Sequence, residues 1–255
     1  CRLEYSRRWA VRCMHEASLH RDNAFITLTY SDEHLPPFGS LDRAAFPKFM
    51  KRLRKRTDVR VRYYHCGEYG EVSGRPHYHA LLFGFNFADR VQWTVRNGIP
   101  VHRSALLERL WPFGLSEIGT VTFESAAYCA RYVVKKVTGP RAKDHYSRVD
   151  PATGEVVQIE PEYATMSRRP GIGRLWIHAH GAETYRDDNV VMRGRPMKPP
   201  RYYDEVFAED APDVVAEVRK ARRDKRDFKE ETTARLATRK RCATARNSLH
   251  SRSVE

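Results

Sequence analysis

The sequence predicts an α+β fold in which a central antiparallel sheet carries flanking helices and a basic helical segment follows. Three observations support this class. Short β-branched and aromatic runs alternate with segments of helical periodicity. Two neighbouring strand candidates are joined by a turn rich in Gly, and the residues after Asp204 are rich in Ala, Arg, Lys and Glu. The expected domains are residues 1–203 and a basic C-terminal tail, helical or partly disordered, over 204–255.

Local patterns define the first elements in turn. Residues 2–19 carry apolar side chains at roughly helical intervals. FITLTY at 25–30 is β-branched and aromatic and lies between an Asp-Asn pair and a Pro-rich loop, which is typical of a strand. Residues 40–56 place their apolar side chains on one helical face. Pro47 fits this helix only if the helix begins close to it.

The following elements are three strands and one helix. VRVRYY at 59–64 alternates as a half-buried strand does, and HYHALLF at 77–83 is a second candidate. Because only a short turn separates them, we expect these two strands to pair antiparallel. A further strand is predicted at 118–123, and Ser125 is predicted to cap a helix over 126–137. The chain from about 143 to 201 is predicted to form loops with short elements.

Charge and composition limit the partners and the compartment. The chain has 46 Lys+Arg and 32 Asp+Glu, a net charge of +14, which favours nucleic acid as a partner. The longest apolar run, at 80–88, is shorter than the about 20 residues that span a bilayer, so no membrane partner is expected. Five scattered cysteines without a C-x-x-C predict a reducing, intracellular environment. The lack of an initiator Met predicts that residues precede Cys1.

A possible metal site lies around the strand at 77–83. His77 and His79 point to the same side of a strand, and Glu68 comes before them across a turn, so a hairpin brings its carboxylate beside both. This set suits Mg²⁺ or Mn²⁺ holding a phosphate, or a hydrolytic Zn²⁺. His34 is a further candidate near the metal. The alternatives to Glu68 as third ligand are Glu71, His65 and Asp32.

Two tyrosines share one face of the predicted helix over 126–137. Tyr128 and Tyr132 are four residues apart, with Lys135 and Lys136 one turn further on. A phenol has a pKa near 10, so a nucleophilic tyrosine needs a cation or a metal that stabilises its phenolate. Taken alone, two such tyrosines are more often ordinary core or interface residues.

Cationic side chains suggest where a nucleic acid binds. The helix over 40–56 combines an apolar face with a basic surface that suits a track for single-stranded DNA. The predicted DNA-binding residues are Arg75, Lys48, Lys51, Arg52, Lys55 and Lys136.

In this order, the motifs resemble those of the HUH endonucleases, the rolling-circle replication initiators. The resemblance is closer still to the replication initiators of gokushoviruses and related microviruses, which are small single-stranded DNA phages. It covers about residues 1–205. The matching stretches are FITLTYSDEHLP at 25–36, GRPHYHALLFG at 74–84, YCARYVVKK at 128–136, MSRRPGIG at 166–173 and PPRYYD at 199–204.

The resemblance implies a ferredoxin-like or RRM-like HUH domain that nicks single-stranded DNA at a phage origin. It implies a 5′-phosphotyrosyl intermediate, a free 3′-OH and a later rejoining step that releases a circle. The expected partners are the origin strand and host replication proteins such as a polymerase and a helicase, in the cytoplasm of the bacterial host. The implied roles are metal ligands for Glu68, His77 and His79, paired nucleophiles for Tyr128 and Tyr132, and an assisting cation for Lys135.

Two questions stay open at this point. Tyr132 is favoured as the first nucleophile because Lys135 completes a Tyr-x-x-Lys unit with it. The alternatives to this function are a non-catalytic single-stranded nucleic-acid-binding module on the same fold and a single-tyrosine HUH transposase or relaxase.

Overall fold

The computed structural model describes the backbone of residues 2–249 and, within that range, all side chains except those of residues 2–3, 132–135, 229 and 247–249. The chain divides into two compact units between Ala179 and His180. The functional boundary predicted at residue 203 stays a prediction. Within the described chain, no helix combines the length and the apolar character that a membrane span needs.

Short strands and helices alternate along the chain. The strands are β1 (Asn23–Leu28), β2 (Arg62–Tyr69), β3 (Pro76–Phe83), β4 (Val91–Arg96), β5 (Ile99–Arg103), β6 (Ser116–Gly119), β7 (Ser147–Val149), β8 (Val156–Gln158), β9 (Tyr163–Met166), β10 (Val190–Met192) and β11 (Arg195–Met197). The helices are α1 (Arg2–Ser18), α2 (Ala45–Thr57), α3 (Ala105–Leu110), α4 (Phe123–Lys135), α5 (Ala142–His145), α6 (Arg174–Arg186), α7 (Arg201–Phe207), α8 (Pro212–Asp224) and α9 (Thr233–Leu249).

A seven-stranded sheet forms the centre of the first unit. Its strand order is β4-β5-β6-β1-β3-β2-β9, and its recorded pairings are antiparallel. The predicted α+β class with a central antiparallel sheet and flanking helices is therefore confirmed. The predicted pairing of the two neighbouring strands is confirmed as well, since β2 and β3 form an antiparallel hairpin.

The two faces of this sheet are covered by different helices. On one face, α2 buries Phe46, Phe49 and other apolar side chains against even-numbered residues of β1 and β3, such as Ile26. Each fully buried large side chain contributes roughly 2 kcal/mol. On the other face, α1 packs on β2 through Trp9, whose ring centroid lies 4.9 Å from that of Tyr64. The helix α4 packs on α1 and on β2 on this same face.

Two predicted strand positions are wrong by a few residues. The strand predicted at 59–64 starts at Arg62, because Asp58 caps α2 in a left-handed conformation (φ 52°) and the chain turns before β2 begins. The strand predicted at 118–123 is the shorter β6, and α4 begins at Phe123. The Pro47 condition is met, because α2 starts at Ala45.

The predicted cap of α4 is also wrong. Thr122 is the N-cap, and Ser125 occupies the third helical position of a capping box. Thr122 Oγ1 accepts a hydrogen bond from the Ser125 N–H at 3.2 Å, and Ser125 Oγ accepts one from the Thr122 N–H at 2.9 Å. Both residue types can cap a helix, so the sequence alone leaves the starting residue ambiguous by one turn.

Several elements were not predicted. The β4–β5 hairpin turns at Asn97-Gly98, where both residues have positive φ, and this dipeptide is a recognised hairpin signal. The region assigned to loops contains β9, which forms the edge of the main sheet, and the thirteen-residue helix α6. The pairing of β9 with β2 joins residues about one hundred positions apart, so no local pattern reveals it.

The second unit consists mainly of helices and a small hairpin. Residues 204–249 are largely helical, in α7, α8 and α9. Arg222 binds two carboxylates here, with Nη1 2.7 Å from Asp204 Oδ2 and Nε 2.9 Å from Asp188 Oδ1. Tyr185 donates its hydroxyl to Asp204 Oδ1 at 2.6 Å. Together these contacts fix α7 and α8 around a paired, half-buried arginine.

Candidate active site

The β2–β3 hairpin brings one carboxylate and two imidazoles together. Glu68 lies directly opposite His77 in the pairing register, and His79 lies two residues further along the same strand. All three side chains therefore project from one face of the sheet. Glu68 Oε1 lies 3.0 Å from His77 Nε2 and 2.8 Å from His79 Nε2. The ligand atoms of the three groups lie within 4.8 Å of one another.

The cluster is buried, and its carboxyl group carries a negative charge. Glu68 and His79 are almost completely buried, and His77 is half-buried. Burial by itself raises the pKa of Glu68, but the hydrogen bonds from His77 and His79 outweigh it and hold that pKa below its usual value. A buried carboxylate of this kind requires positive charge or protons beside it.

The hydrogen-bond pattern fits a metal cation. His77 Nδ1 lies 3.1 Å from the backbone carbonyl of Arg75, which can only accept, so Nδ1 carries the proton in the neutral ring. The lone pair of Nε2 then points at Glu68, and a cation or a second proton must lie between them. Ligand atoms at neighbouring positions around Mg²⁺ or Mn²⁺ are about 3 Å apart, close to the separations seen here. The donor set therefore fits a divalent ion.

Neighbouring side chains orient the second imidazole. Thr27 Oγ1 on β1 lies 3.0 Å from His79 Nδ1. Phe25, two residues before it, stacks on the His79 ring with centroids 5.6 Å apart. Partners of this kind fix the tautomer and the ring orientation of a metal-binding histidine. Thr27 was not predicted as a site residue, although the β1–β3 pairing places it directly opposite His79.

Thr27→Val tests this contact, since valine keeps the branched shape and loses the hydroxyl. We expect the affinity for Mn²⁺ to fall about tenfold or more, because His79 loses the group that orients it. Isothermal titration calorimetry measures the affinity. Thr29→Val on the same chain segment is the matched control, because the Thr29 hydroxyl binds the Leu115 carbonyl instead. Equal Mn²⁺ affinities in both variants and the wild type would contradict the role of Thr27.

Tyr128 approaches this cluster from α4. Its hydroxyl donates to Glu68 Oε1 over 3.4 Å, and its ring meets the edge of His79 with centroids 4.9 Å apart. Only 5% of Tyr128 is exposed. Tyr132 and Lys135 belong to the same helix, but their side chains lie outside the described residues, and their roles stay predictions.

The other candidates for the third ligand lie elsewhere. His65 projects to the opposite face of β2, where it stacks on Phe46 with centroids 3.7 Å apart, and burial holds its pKa well below the usual value. Asp32 pairs with Arg75 at the surface. Glu71 lies in the exposed turn after β2. His34 Nδ1 lies 3.0 Å from Ser31 Oγ in an exposed loop.

The cationic residues are distributed over both faces. Lys48, Lys51 and Lys55 are exposed on α2, and this helix covers the face opposite to Glu68 and the histidines. Arg52 donates from Nε and Nη2 to the Leu110 carbonyl, which gives it a structural contact. The remaining two lie nearer. Arg75 binds Asp32 and the Tyr30 carbonyl, and Lys136 follows the last residue of α4.

Comparison with known proteins gives the family. Residues 23–137 match the family model for the replication-associated protein ORF2, and this range contains the hairpin cluster and α4. The chain belongs to this family of replication-associated proteins.

Relatives of this family member come from phages of different hosts. The chain is 33% identical over 223 residues to the replication-associated protein VP4 of Bdellovibrio phage phiMH2K, covering 84% of this chain and 66% of VP4. It is 34% identical over 220 residues to the replication-associated protein ORF2 of Spiroplasma virus 4, covering 80% of this chain and 64% of that protein. About a third of each relative therefore lies outside the match. No solved structure matches this replication-associated protein significantly.

Proposed function

We propose that this chain takes part in phage DNA replication by nicking single-stranded DNA at the phage origin. The observation that carries the proposal is the position of the Tyr128 hydroxyl, 3.4 Å from the carboxylate of the Glu68–His77–His79 cluster. A phenol beside a site for a divalent ion is the arrangement that tyrosine transesterification needs. The phage replication proteins named above support the same process.

In the proposed reaction, a tyrosine oxygen attacks the scissile phosphorus and the bond to the 3′ oxygen breaks. The products are a 5′-phosphotyrosyl bond and a free 3′-OH, so the number of phosphoester bonds is unchanged. Mg²⁺ or Mn²⁺ held by Glu68, His77 and His79 would supply Lewis-acid polarisation of the phosphate. Glu68 Oε1 is the acceptor nearest to the Tyr128 proton, and the exclusion of water around this pair strengthens their interaction.

A second tyrosine permits the return reaction. The paired roles proposed for Tyr128 and Tyr132 let one tyrosine cut the regenerated origin while the other still holds the first 5′ end. The new 3′-OH then attacks the first phosphotyrosyl bond, releases that tyrosine and closes a circle. The 3′-OH left by the first cut is a primer, so we propose a host polymerase and a helicase as partners in the host cytoplasm.

The direct test is an origin-derived single-stranded oligonucleotide incubated with the protein and Mn²⁺. We expect a protein–DNA adduct that survives denaturation and that fails to form when a chelator is present, since the ion is required for attack. A labelled 5′ fragment and a labelled 3′ fragment show which end is bound. If no adduct forms on any origin fragment with Mn²⁺ or Mg²⁺, the nicking proposal is wrong.

A non-catalytic single-stranded nucleic-acid-binding module is the second candidate, favoured by the small exposed fraction of Tyr128. In that case Tyr128 serves to pack against the His79 ring. This candidate predicts DNA binding that is sensitive to salt and independent of divalent ions. Metal dependence of adduct formation therefore separates the two.

A further inference from the structure

A cleft rich in arginine lies at the sheet edge where β2 begins and β9 ends. Its volume is about 380 Å³. It joins the connection before β2 to the MSRRPGIG segment, which no step of the proposed chemistry uses. The lining residues are Arg54, Arg60, Val61, Arg62, Tyr63, Met166, Ser167, Arg168 and Arg169.

Most of the positive charge in this cleft is not neutralised by the protein. Arg62 pairs with the buried carboxylate of Glu16. Within the described part of the chain, no carboxylate lies within ion-pair distance of the four other arginines, and all four are exposed. Four uncompensated guanidinium groups beside one another repel, so a bound anion would stabilise the arrangement. These four are Arg54, Arg60, Arg168 and Arg169.

Backbone contacts hold two of these guanidinium groups without neutralising them. Arg54 Nη2 donates to the Val61 carbonyl at 2.8 Å, and Arg60 Nη2 donates to the Arg169 carbonyl at 3.2 Å. Each group keeps further N–H donors for a ligand, because a guanidinium has five. The positions of these donors are therefore set before a ligand arrives, which lowers the entropy lost on binding.

The opposite wall of the cleft is held equally firmly. Arg62 Nη2 donates to the Pro170 carbonyl at 2.9 Å, and Arg12 Nε donates to the Ile172 carbonyl at 3.0 Å. The Gly173 N–H donates to Glu16 Oε2 at 2.8 Å. Ile172 is fully buried. The segment that carries Arg168 and Arg169 is thus anchored by the residues that follow it.

We propose that this cleft binds the phosphodiester backbone of the single-stranded DNA on which the protein acts. The proposal rests on the proposed function for the identity of the ligand. Guanidinium groups match the paired oxygens of a phosphate and bind it through charge-assisted hydrogen bonds. A strand of DNA supplies one such group per nucleotide, which suits several neighbouring arginines better than a single small anion does.

The position of the cleft separates binding from cutting. Arg62 at the start of β2 and Glu68 near its end are six residues apart, which corresponds to about 20 Å along a strand. The cleft therefore contacts phosphates several nucleotides away from the bond that is cut. Its loss lowers the affinity for DNA and leaves the geometry around Glu68 intact.

Arg168→Gln/Arg169→Gln in the full chain tests the proposal. Neither side chain makes a hydrogen bond within the described structure, so folding should be kept, and thermal unfolding checks this. Fluorescence anisotropy with a labelled single-stranded oligonucleotide in EDTA measures binding without cleavage. We expect Kd to rise about tenfold to thirtyfold at about 0.1 M salt, and the slope of log K against log salt to fall by about 1.4.

Arg21→Gln/Lys143→Gln is the matched control, since it removes the same charge at two exposed side chains outside the cleft. We expect its Kd to stay within about twofold of the wild type, because neither side chain contacts the strand. Equal weakening in both double variants would show a general charge effect and overturn the proposal. Unchanged DNA binding in the cleft variant would overturn it as well.

Competition with inorganic phosphate and ATP distinguishes the sources of the phosphate. If these ligands bind the wild type and not the cleft variant while DNA affinity is unchanged, the cleft binds free phosphate compounds and the DNA assignment is wrong. The adduct assay keeps the two proposals apart. A wild-type protein that forms no adduct but binds DNA through the cleft contradicts only the nicking proposal.

Discussion

Tyr128→Phe/Tyr132→Phe should form no covalent adduct with the origin oligonucleotide, a loss of at least about 10³-fold in cleavage rate. Phenylalanine keeps the ring that packs on His79 and removes only the attacking oxygen. Metal binding and DNA binding should therefore stay close to wild type. Denaturing gel electrophoresis of the reaction measures the adduct.

Tyr5→Phe is a suitable control, because Tyr5 is an exposed tyrosine on α1 and lies outside the hairpin cluster. It should form the adduct at the wild-type rate. An adduct that persists in the double variant would show that another residue is the nucleophile. The two single variants give the order of attack. The sequence favours Tyr132 for the first cut, and the distance to Glu68 supports a direct role for Tyr128.

The single variants also test the single-tyrosine alternative. If both tyrosines act in turn, one variant should lose the first cut and the other should cut but fail to release a circle. A transposase or relaxase with one nucleophile would instead show one inactive variant and one that is normal in both cutting and joining.

His77→Ala should reduce metal-dependent cleavage by about 100-fold or more. Loss of a direct ligand should exceed the 10- to 100-fold cost of losing a partner that only orients one. His77 is the most accessible member of the cluster, so its truncation should disturb folding least. DNA binding measured in EDTA should be unchanged, with the same steep dependence on salt.

His34→Ala is the control for this experiment. His34 is a loop histidine whose ring contacts Ser31 and Phe113, away from Glu68. Its truncation should leave cleavage and Mn²⁺ affinity unchanged. Normal cleavage by His77→Ala, or loss of DNA binding without loss of metal affinity, would contradict the proposed metal site.

The local part of this fold could be predicted from the sequence. Strand alternation places His77 and His79 on one face, and the short turn before them brings Glu68 back across the hairpin, as the observed register has it. Apolar spacing located α1 and α2. These predictions succeed because each depends on residues that are near one another in the chain.

Contacts between distant segments could not be predicted. Thr27 meets His79 only because β1 pairs with β3, and β9 reaches β2 across about one hundred residues. The same limit applies to α2. Its basic surface was expected to guide the DNA strand, yet nothing in its sequence states which face of the sheet it covers. The arginine cleft also combines side chains from segments far apart in the chain.

The separation of the metal ligands from Tyr128 has a consequence for how such a protein can vary. Glu68, His77 and His79 are held by the backbone register of one hairpin, whereas Tyr128 is held by the packing of α4 on α1 and β2. Substitutions between the helices can move the tyrosine by fractions of an ångström without altering the hairpin. Natural selection can therefore adjust the rate of attack and the choice of metal as nearly independent traits.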